Sequence, residues 1–542
     1  MNFLLTGAHR NPLITTVARH SSHPPLTLSV TLMAPLHLNP TSFLLLSSTL
    51  LFLFFILKPK LKSKLPSINL PPGPKPLPLI GNLHHLGDQP HLALQRLSCT
   101  YGPIFRLTLG FIPTVVVSSA KLAREVMRTH DLALASRPQL QSARSLFYGC
   151  TDIAFAPYGP YWRHVRKICI LELLSQRRVD LFAPVRAAEV KCMISRISTA
   201  AAEGKAMNLS KILGLYANGV LGQSAFGKDF YGGGDYDRHG FQEMLEEYQV
   251  LLGGFSIGDF FPGMEWVGAI TGTNARLEKT FRRFDNFFDE IIEEHMQKRR
   301  KGTIQEEGKN LLDVLLDVKD SADLEMPLTM DNVKAVLLDM FVAGTDTTFI
   351  TLEWGMTELL MNPEALKQAQ KEVRGIVGMK QFVSESDLCN MPFLKAVIKE
   401  IFRLHPSAPL LIPRESMEQV TIDGYDIPTK TRLYINARAI GRDPELWGHP
   451  DKFKPERFLD SPIDYKGQHY ELIPFGAGRR SCPGISFGTA SVDLALAQLL
   501  HSFDWELPPG VLAKDLDLTE VFAVNMHRIQ QLVVVAKPYI VE

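Results

Sequence analysis

One eleven-residue stretch, Pro474-Phe475-Gly476-Ala477-Gly478-Arg479-Arg480-Ser481-Cys482-Pro483-Gly484, does most to limit what this chain can become. It sets a single cysteine among glycines and arginines, and the apolar run from Val492 to Leu500 that follows reads as a helix. A glycine-rich loop that feeds a helix brings backbone N–H groups and the positive end of the helix dipole to whatever the loop holds. Arg479 and Arg480 add their charge, so the position favours the thiolate of Cys482, the form that ligates metal. Gly476 and Gly478 allow backbone angles closed to other residues. Gly484 leaves room for a flat group to approach the helix start. The opening Gly476-Ala477-Gly478 imitates a dinucleotide fingerprint, but Ser481 stands where the third glycine belongs.

Phe475, Gly478, Arg480, Cys482 and Gly484 fill the spacing Phe-x-x-Gly-x-Arg-x-Cys-x-Gly. The stretch resembles the haem-thiolate loop of the cytochrome P450 superfamily. That resemblance implies that Cys482 is the axial ligand of haem b iron, that Phe475 packs near the sulfur, and that Arg480 pairs with a propionate. The implied fold is mainly α with a small β region, the haem lying between two long helices.

Further motifs follow in order. Trp162 and Arg166 are i,i+4 neighbours on a helical pattern; alone they read as a surface cation–aromatic pair, and by resemblance both bind a propionate. Leu328 to Met361 is the longest helical pattern, yet its middle is Ala343-Gly344-Thr345-Asp346-Thr347-Thr348. Glycine and threonine each cost up to about 1 kcal/mol there against alanine, and threonine hydroxyls bend helices. A weakened core helix points to function. The segment is similar to the family's oxygen-binding kink, which implies that Ala343 and Gly344 sit at the haem, Gly344 leaving space for O2, and that Asp346 and Thr347 deliver protons. Glu400, Arg403 and Arg457 match the family's structural Glu-Arg-Arg cluster, which would fix the cysteine loop. Arg414 would be another propionate partner. Arg137 to Pro160 is a long irregular segment, expected over the distal haem face. Segments 145–148, 407–412 and 522–524 would line the substrate pocket; they are largely apolar.

Residues 1–87 contain no Asp or Glu. Thr41 to Leu57 is almost wholly apolar, and seventeen helical residues span about 25 Å, at the short end for a membrane helix. Lys58, Lys60, Lys62 and Lys64 follow, which puts that side in the cytosol. No signal-peptidase-like site follows; Pro71-Pro72-Gly73-Pro74 does, a stiff spacer. We therefore expect a transmembrane anchor at 41–57, a basic and proline-rich hinge at 58–82, and a catalytic domain at 83–542, cytosolic on the endoplasmic reticulum membrane. Residues 1–32 have transit-peptide-like composition but read as an upstream start, with Met33 beginning a more familiar microsomal N-terminus.

The chain's 542 residues would as a rule divide into several domains. No low-complexity linker interrupts it after Asp88, so one large domain is read, by resemblance. A formal charge of +1 argues against a polyanion binder such as one for nucleic acid. Six cysteines are scattered without disulfide or metal-site spacing. The motifs are typical of plant microsomal A-type enzymes of the seventy-one family. The resemblance implies a monooxygenase that uses O2 and electrons from NADPH through a separate reductase on a lipophilic terpenoid, phenolic or amino-acid-derived metabolite. Arg163, Lys167, Lys452, Lys454 and Arg479 are candidates for the reductase's docking face. Two alternatives stay open: a haem-thiolate isomerase or dehydratase that needs no O2, and a non-catalytic haem sensor or carrier.

Overall fold

Alternation of β-branched residues on either side of Gly110 builds a hairpin, β1 (Ile104–Leu109) with β2 (Ile112–Val117), as its sequence implies. Gly110 supplies the positive φ of the turn. The hairpin grows into a four-stranded sheet in the order β1-β2-β4-β3, where β3 is Arg414–Glu415 and β4 is Arg432–Ile435. β4 runs parallel to β2, with Thr114 opposite Arg432. The computed structural model describes residues 48–49, 68–228, 241–254, 256–302, 308–321 and 326–539. Contacts divide the chain into residues 1–68 and 69–542, and the four-stranded sheet belongs to the second unit. The expected leader at 1–32, nearly all of the anchor at 41–57 and the hinge up to residue 67 lie outside the described residues. Of the proline cluster, the Pro72 carbonyl accepts from the Arg106 N–H of β1 at 2.7 Å.

Helices make most of the rest of this unit. Those that frame the site are α1 (Pro160–Ile168), α2 (Leu209–Phe226), α3 (Phe241–Gly253), α4 (Met330–Met361), α5 (Pro392–Leu404) and α6 (Ile485–Ser502). α4 starts where Thr329 and Asn332 cap each other's backbone N–H groups, and it stops before Pro363. Its 32 residues run about 48 Å. It is long and apolar enough to cross a membrane, but most of that apolar stretch is buried inside the protein, which makes it a core helix. α4 is wrapped by α2, α5 and α6. Two glycines set those approaches. A Cβ on Gly355 would stand 2.8 Å from Ile401 Cδ1 of α5, and one on Gly344 would stand 3.1 Å from Leu221 Cδ1 of α2. The room that Gly344 leaves is therefore taken up at least partly by α2.

The Glu-Arg-Arg cluster is assembled. Glu400 binds Arg403 at 2.7 and 2.8 Å and Arg457 at 3.1 Å, and all three are almost wholly buried at their charged ends. Its other bonds run to the carbonyls of Gly441, Gly448, His449, Pro450 and Lys452 and from the Lys454 N–H, and among the described residues none reaches the cysteine loop itself. The loop is reached through packing instead: the Phe402 ring meets Phe475 nearly edge-on at 5.1 Å, with Tyr465 completing the trio.

Candidate active site

The cysteine loop is held at almost every residue. A short turn, 478–480, precedes Cys482, and α6 starts three residues after it. Gly478 has φ +70°, and a Cβ there would lie 2.2 Å from the Met127 carbonyl. Asp131 accepts from the Arg479 N–H and from Arg414 Nη1, both at 2.8 Å. The Cys482 N–H donates to the Phe475 carbonyl at 2.9 Å. A Cβ on Gly484 would sit 3.9 Å from Cys482 Sγ, in the space the glycine keeps open.

The sulfur faces a cavity of about 300 Å³, whose wall includes Cys482 and none of the other five cysteines. Burial pushes the Cys482 thiol up, while the Gly484 N–H and the Arg166 charge pull it back. The expectation that Arg479 and Arg480 favour the thiolate needs correcting. The Arg479 side chain is exposed and its Nη1 lies 3.9 Å from Asp131. Arg480 turns to the carbonyls of Ala135, Ile153 and Ala156. The 478–480 turn sends the two arginines in different directions.

Four arginines line the cavity: Arg137, Arg166, Arg414 and Arg480. Arg166 donates to the Ser481 carbonyl at 2.7 Å, Arg414 to the Ala477 carbonyl at 3.0 Å. Arg137 bonds the carbonyls of Ala154, Ile412 and Pro413. Burial lowers the basicity of all four, and their mutual repulsion lowers it further at Arg137, Arg166 and Arg480. Buried cations are ordinarily paired; this excess of positive charge around one space suits a ligand with more than one carboxylate. Trp162 does not line the cavity. Its indole N–H donates to the Ile153 carbonyl at 3.0 Å, and its ring lies 4.0 Å from the Arg480 guanidinium carbon and 5.4 Å from that of Arg166. It positions the arginines. The sulfur, the four cations and the space kept by Gly484 together fit the haem that the resemblance implies. Arg137 carries no mark in the sequence because nothing near it in the chain pairs with it.

Across the cavity runs the middle of α4. Ala343, Gly344, Thr347, Thr348 and Thr351 line it. The Thr347 hydroxyl donates to the Ala343 carbonyl at 2.7 Å, and Thr348 and Thr351 make the same bond to residues 344 and 347. Asp346 is absent from the wall. It takes a hydrogen bond from Asn525, which does line the cavity, and lies 3.7 Å from His527. Burial pushes Asp346 up to about 7 and His527 down to about 4.

The irregular segment 137–160 contains one helical stretch, Gln141–Leu146, before it crosses the cavity. Phe147, Ile153, Ala154 and Phe155 reach the wall, whereas Tyr148 turns away and donates to Asp285 at 2.8 Å. Ser407, Ala408, Leu411, Ile412 and Val524 line the cavity; the side chain of Phe522 lies outside the described residues. The segment is tied to α4 by a pair the sequence did not reveal. Asp339 accepts from the Ile153 N–H at 2.5 Å and meets buried Asp152, which accepts from the Phe155 N–H. Burial raises both carboxyls, and the Asp152 charge raises Asp339 further, so the folded pair keeps a proton that the unfolded chain releases near pH ~4. Stability therefore falls as pH rises from there, because the native state binds more protons than the unfolded one. Asp339→Asn, which keeps an acceptor for Ile153, is expected to flatten that fall in urea unfolding midpoints followed across acidic to neutral pH. An unchanged slope would show that the pair is not the source.

Comparison with known proteins agrees with this geometry. The family described as Cytochrome P450 matches residues 71–533. A Prunus mume protein named cytochrome P450 71AP13 is 62% identical over 498 residues, 92% of this chain and 96% of that one. A phenylacetaldehyde oxime monooxygenase of the same organism is 45% identical over 494 residues, covering 90% and 93%. A solved zebra fish cytochrome P450, in a structure with abiraterone, superposes with a TM-score of 0.71 at 27% identity, over 84% of this chain and all of that one.

Proposed function

The chain belongs to the cytochrome P450 family, a haem-dependent monooxygenase, and from that premise we propose that Cys482 ligates the iron of haem b in this cavity. The observation that carries the reading is one sulfur, three buried arginines and the half-buried Arg166 facing the same space. Arg166, Arg414 and Arg480, with Arg137, would hold the propionates, Phe475 and Gly484 would shape the floor, and Ala343 and Gly344 would face the opposite side. When bound, the haem-thiolate supplies the activation of O2 and the insertion of one oxygen atom into a substrate C–H bond.

The chain's own residues then handle water, protons and substrate. Apolar walls from α3, α4 and the 147–155 crossing exclude bulk water and favour a lipophilic plant specialised metabolite: terpenoid, phenolic or amino-acid-derived. The oxime named for a relative supports the last of these. Near neutral pH Asp346 is poised to hold or release a proton, and Asn525 links it to the cavity that Thr347 lines. That placement favours oxygen chemistry over the isomerase and sensor alternatives, which need no proton delivery. Electrons would come from NADPH through a separate membrane-bound reductase. Arg163, Lys167, Lys452, Lys454 and Arg479 are all exposed and available to dock it. The apolar run at 41–57 and its trailing lysines support a single-pass anchor in the endoplasmic reticulum membrane.

The test is one assay with purified reductase that follows NADPH, peroxide and product together. Thr347→Ala is expected to keep the haem, since the hydroxyl it removes donates to the Ala343 carbonyl of its own helix, and to go on consuming NADPH while product yields to peroxide. General acid–base help is worth about 10²- to 10⁴-fold, so the loss should be large yet incomplete. Asp346→Asn is expected to slow turnover instead. Coupling as good as wild type in Thr347→Ala would remove the helix from proton delivery. No NADPH consumption with any accepted ligand would favour the alternatives.

A further inference from the structure

Gln249 lies on α3 one turn before Gly253, buried to 7% exposure, and it lines the cavity. Neither its amide oxygen nor its amide nitrogen has a hydrogen-bond partner among the described residues. Buried amides are very rarely left so, because each unmade bond costs the full desolvation of the group.

The surroundings offer it little. The last turn of α3 is pressed against the 523–525 turn, where a Cβ on Gly253 would stand 2.6 Å from the Val524 nitrogen. Tyr248, next to Gln249, is fixed between the rings of Phe147 and Phe284, each about 5.8 Å away. Leu252 and Val524 are apolar, and Asn525 already donates to Asp346. The amide therefore presents an NH2 donor group and a carbonyl acceptor in a greasy wall, and a molecule in the cavity is what remains to answer both.

Resting on the reading of the cavity as the substrate site, we propose that Gln249 selects the substrate: a mostly apolar molecule carrying at one end a neutral group with donor and acceptor side by side, a carboxamide or an oxime. A single hydroxyl answers either half of the amide, whereas a carboxamide or oxime answers both. A charged group is disfavoured, since the amide offers only neutral donors and an acceptor, and burying a charge against them is costly.

Gln249→Met keeps the side chain's length and removes both polar atoms. Two measurements on the full chain with its haem test the proposal. The first needs no ligand. Because the Gln249 amide bonds no described residue, the variant is expected to unfold in urea at the same concentration as wild type or higher. A clearly lower midpoint would mean that the amide has a structural partner and would overturn the proposal. The second is equilibrium dialysis with phenylacetamide and its hydrocarbon isostere isobutylbenzene. The variant is expected to bind phenylacetamide about tenfold more weakly and isobutylbenzene as well as before or better. Wild type that does not take up phenylacetamide, or a variant that shifts both probes alike, would overturn it. The reduced carbonyl spectrum is recorded beside both. A wild-type spectrum without the thiolate band would sink the underlying reading, while a normal spectrum without discrimination between the probes sinks this inference alone.

Discussion

Cys482→Ser is expected to abolish the red-shifted carbonyl band of the reduced protein, and monooxygenation with it. The reason is placement as well as chemistry. Of six cysteines, only Cys482 lines the cavity; Cys150 and Cys169 are buried elsewhere and Cys99, Cys192 and Cys389 are exposed. A serine hydroxyl fits the same space, so the loop's bonds from Phe475, Asp131 and Arg166 survive. What changes is the donor: a soft, polarisable sulfur gives way to a hard oxygen that does not push electron density onto iron. Ser or Ala at each of the other five cysteines is expected to leave the band in place. A band retained in Cys482→Ser would move the ligand elsewhere and undo the site.

Glu400→Leu is expected to cost roughly 3–5 kcal/mol of stability, the penalty for leaving buried charge without its partner. Glu400 is fully buried, and it neutralises Arg403 and Arg457 together while accepting the Lys454 N–H at 2.7 Å. Leucine fills similar volume, so the loss is of charge and hydrogen bonds and not of packing. The exposed pair Lys121–Asp423 is the control: at 73% and 40% side-chain exposure it is screened by solvent, and Lys121→Ala should leave the urea midpoint close to that of wild type. Urea midpoints of the two variants measured side by side decide the matter. Similar small losses in both would mean that the cluster is not what holds segment 441–457.

Local signals in the sequence led to the hairpin at Gly110, the long helix ending near Met361 and the cysteine loop, because each is written in consecutive residues. Contacts between distant segments were readable only where the family resemblance supplied them, as for Arg457 with Glu400. Arg137 joins Arg480 and Arg414 only after the sheet and the loop have met. Asp152 finds Asp339 across the whole of the intervening chain, and Gln249 has no sequence mark at all. Direction was also hidden. The left-handed backbone at Tyr148, Gly149 and Cys150 accompanies the turn of Tyr148 away from the cavity, and the short turn at 478–480 separates Arg479 from Arg480. Helical periodicity put Trp162 beside Arg166 correctly, yet only the fold shows that the ring braces the arginines from behind.

The four cavity arginines have a consequence for how the protein is made. Arg137 and Arg166 leave the ribosome early, while Arg414, Arg480 and Cys482 come among the last parts of the chain. Until those last segments emerge, the walls of the cavity do not exist together, and a nascent chain has no place to hold a carboxylated ring. Once they meet, their charges repel until a guest arrives. On the site proposed above, cofactor capture has to wait for the end of synthesis, because the early arginines alone make no cavity.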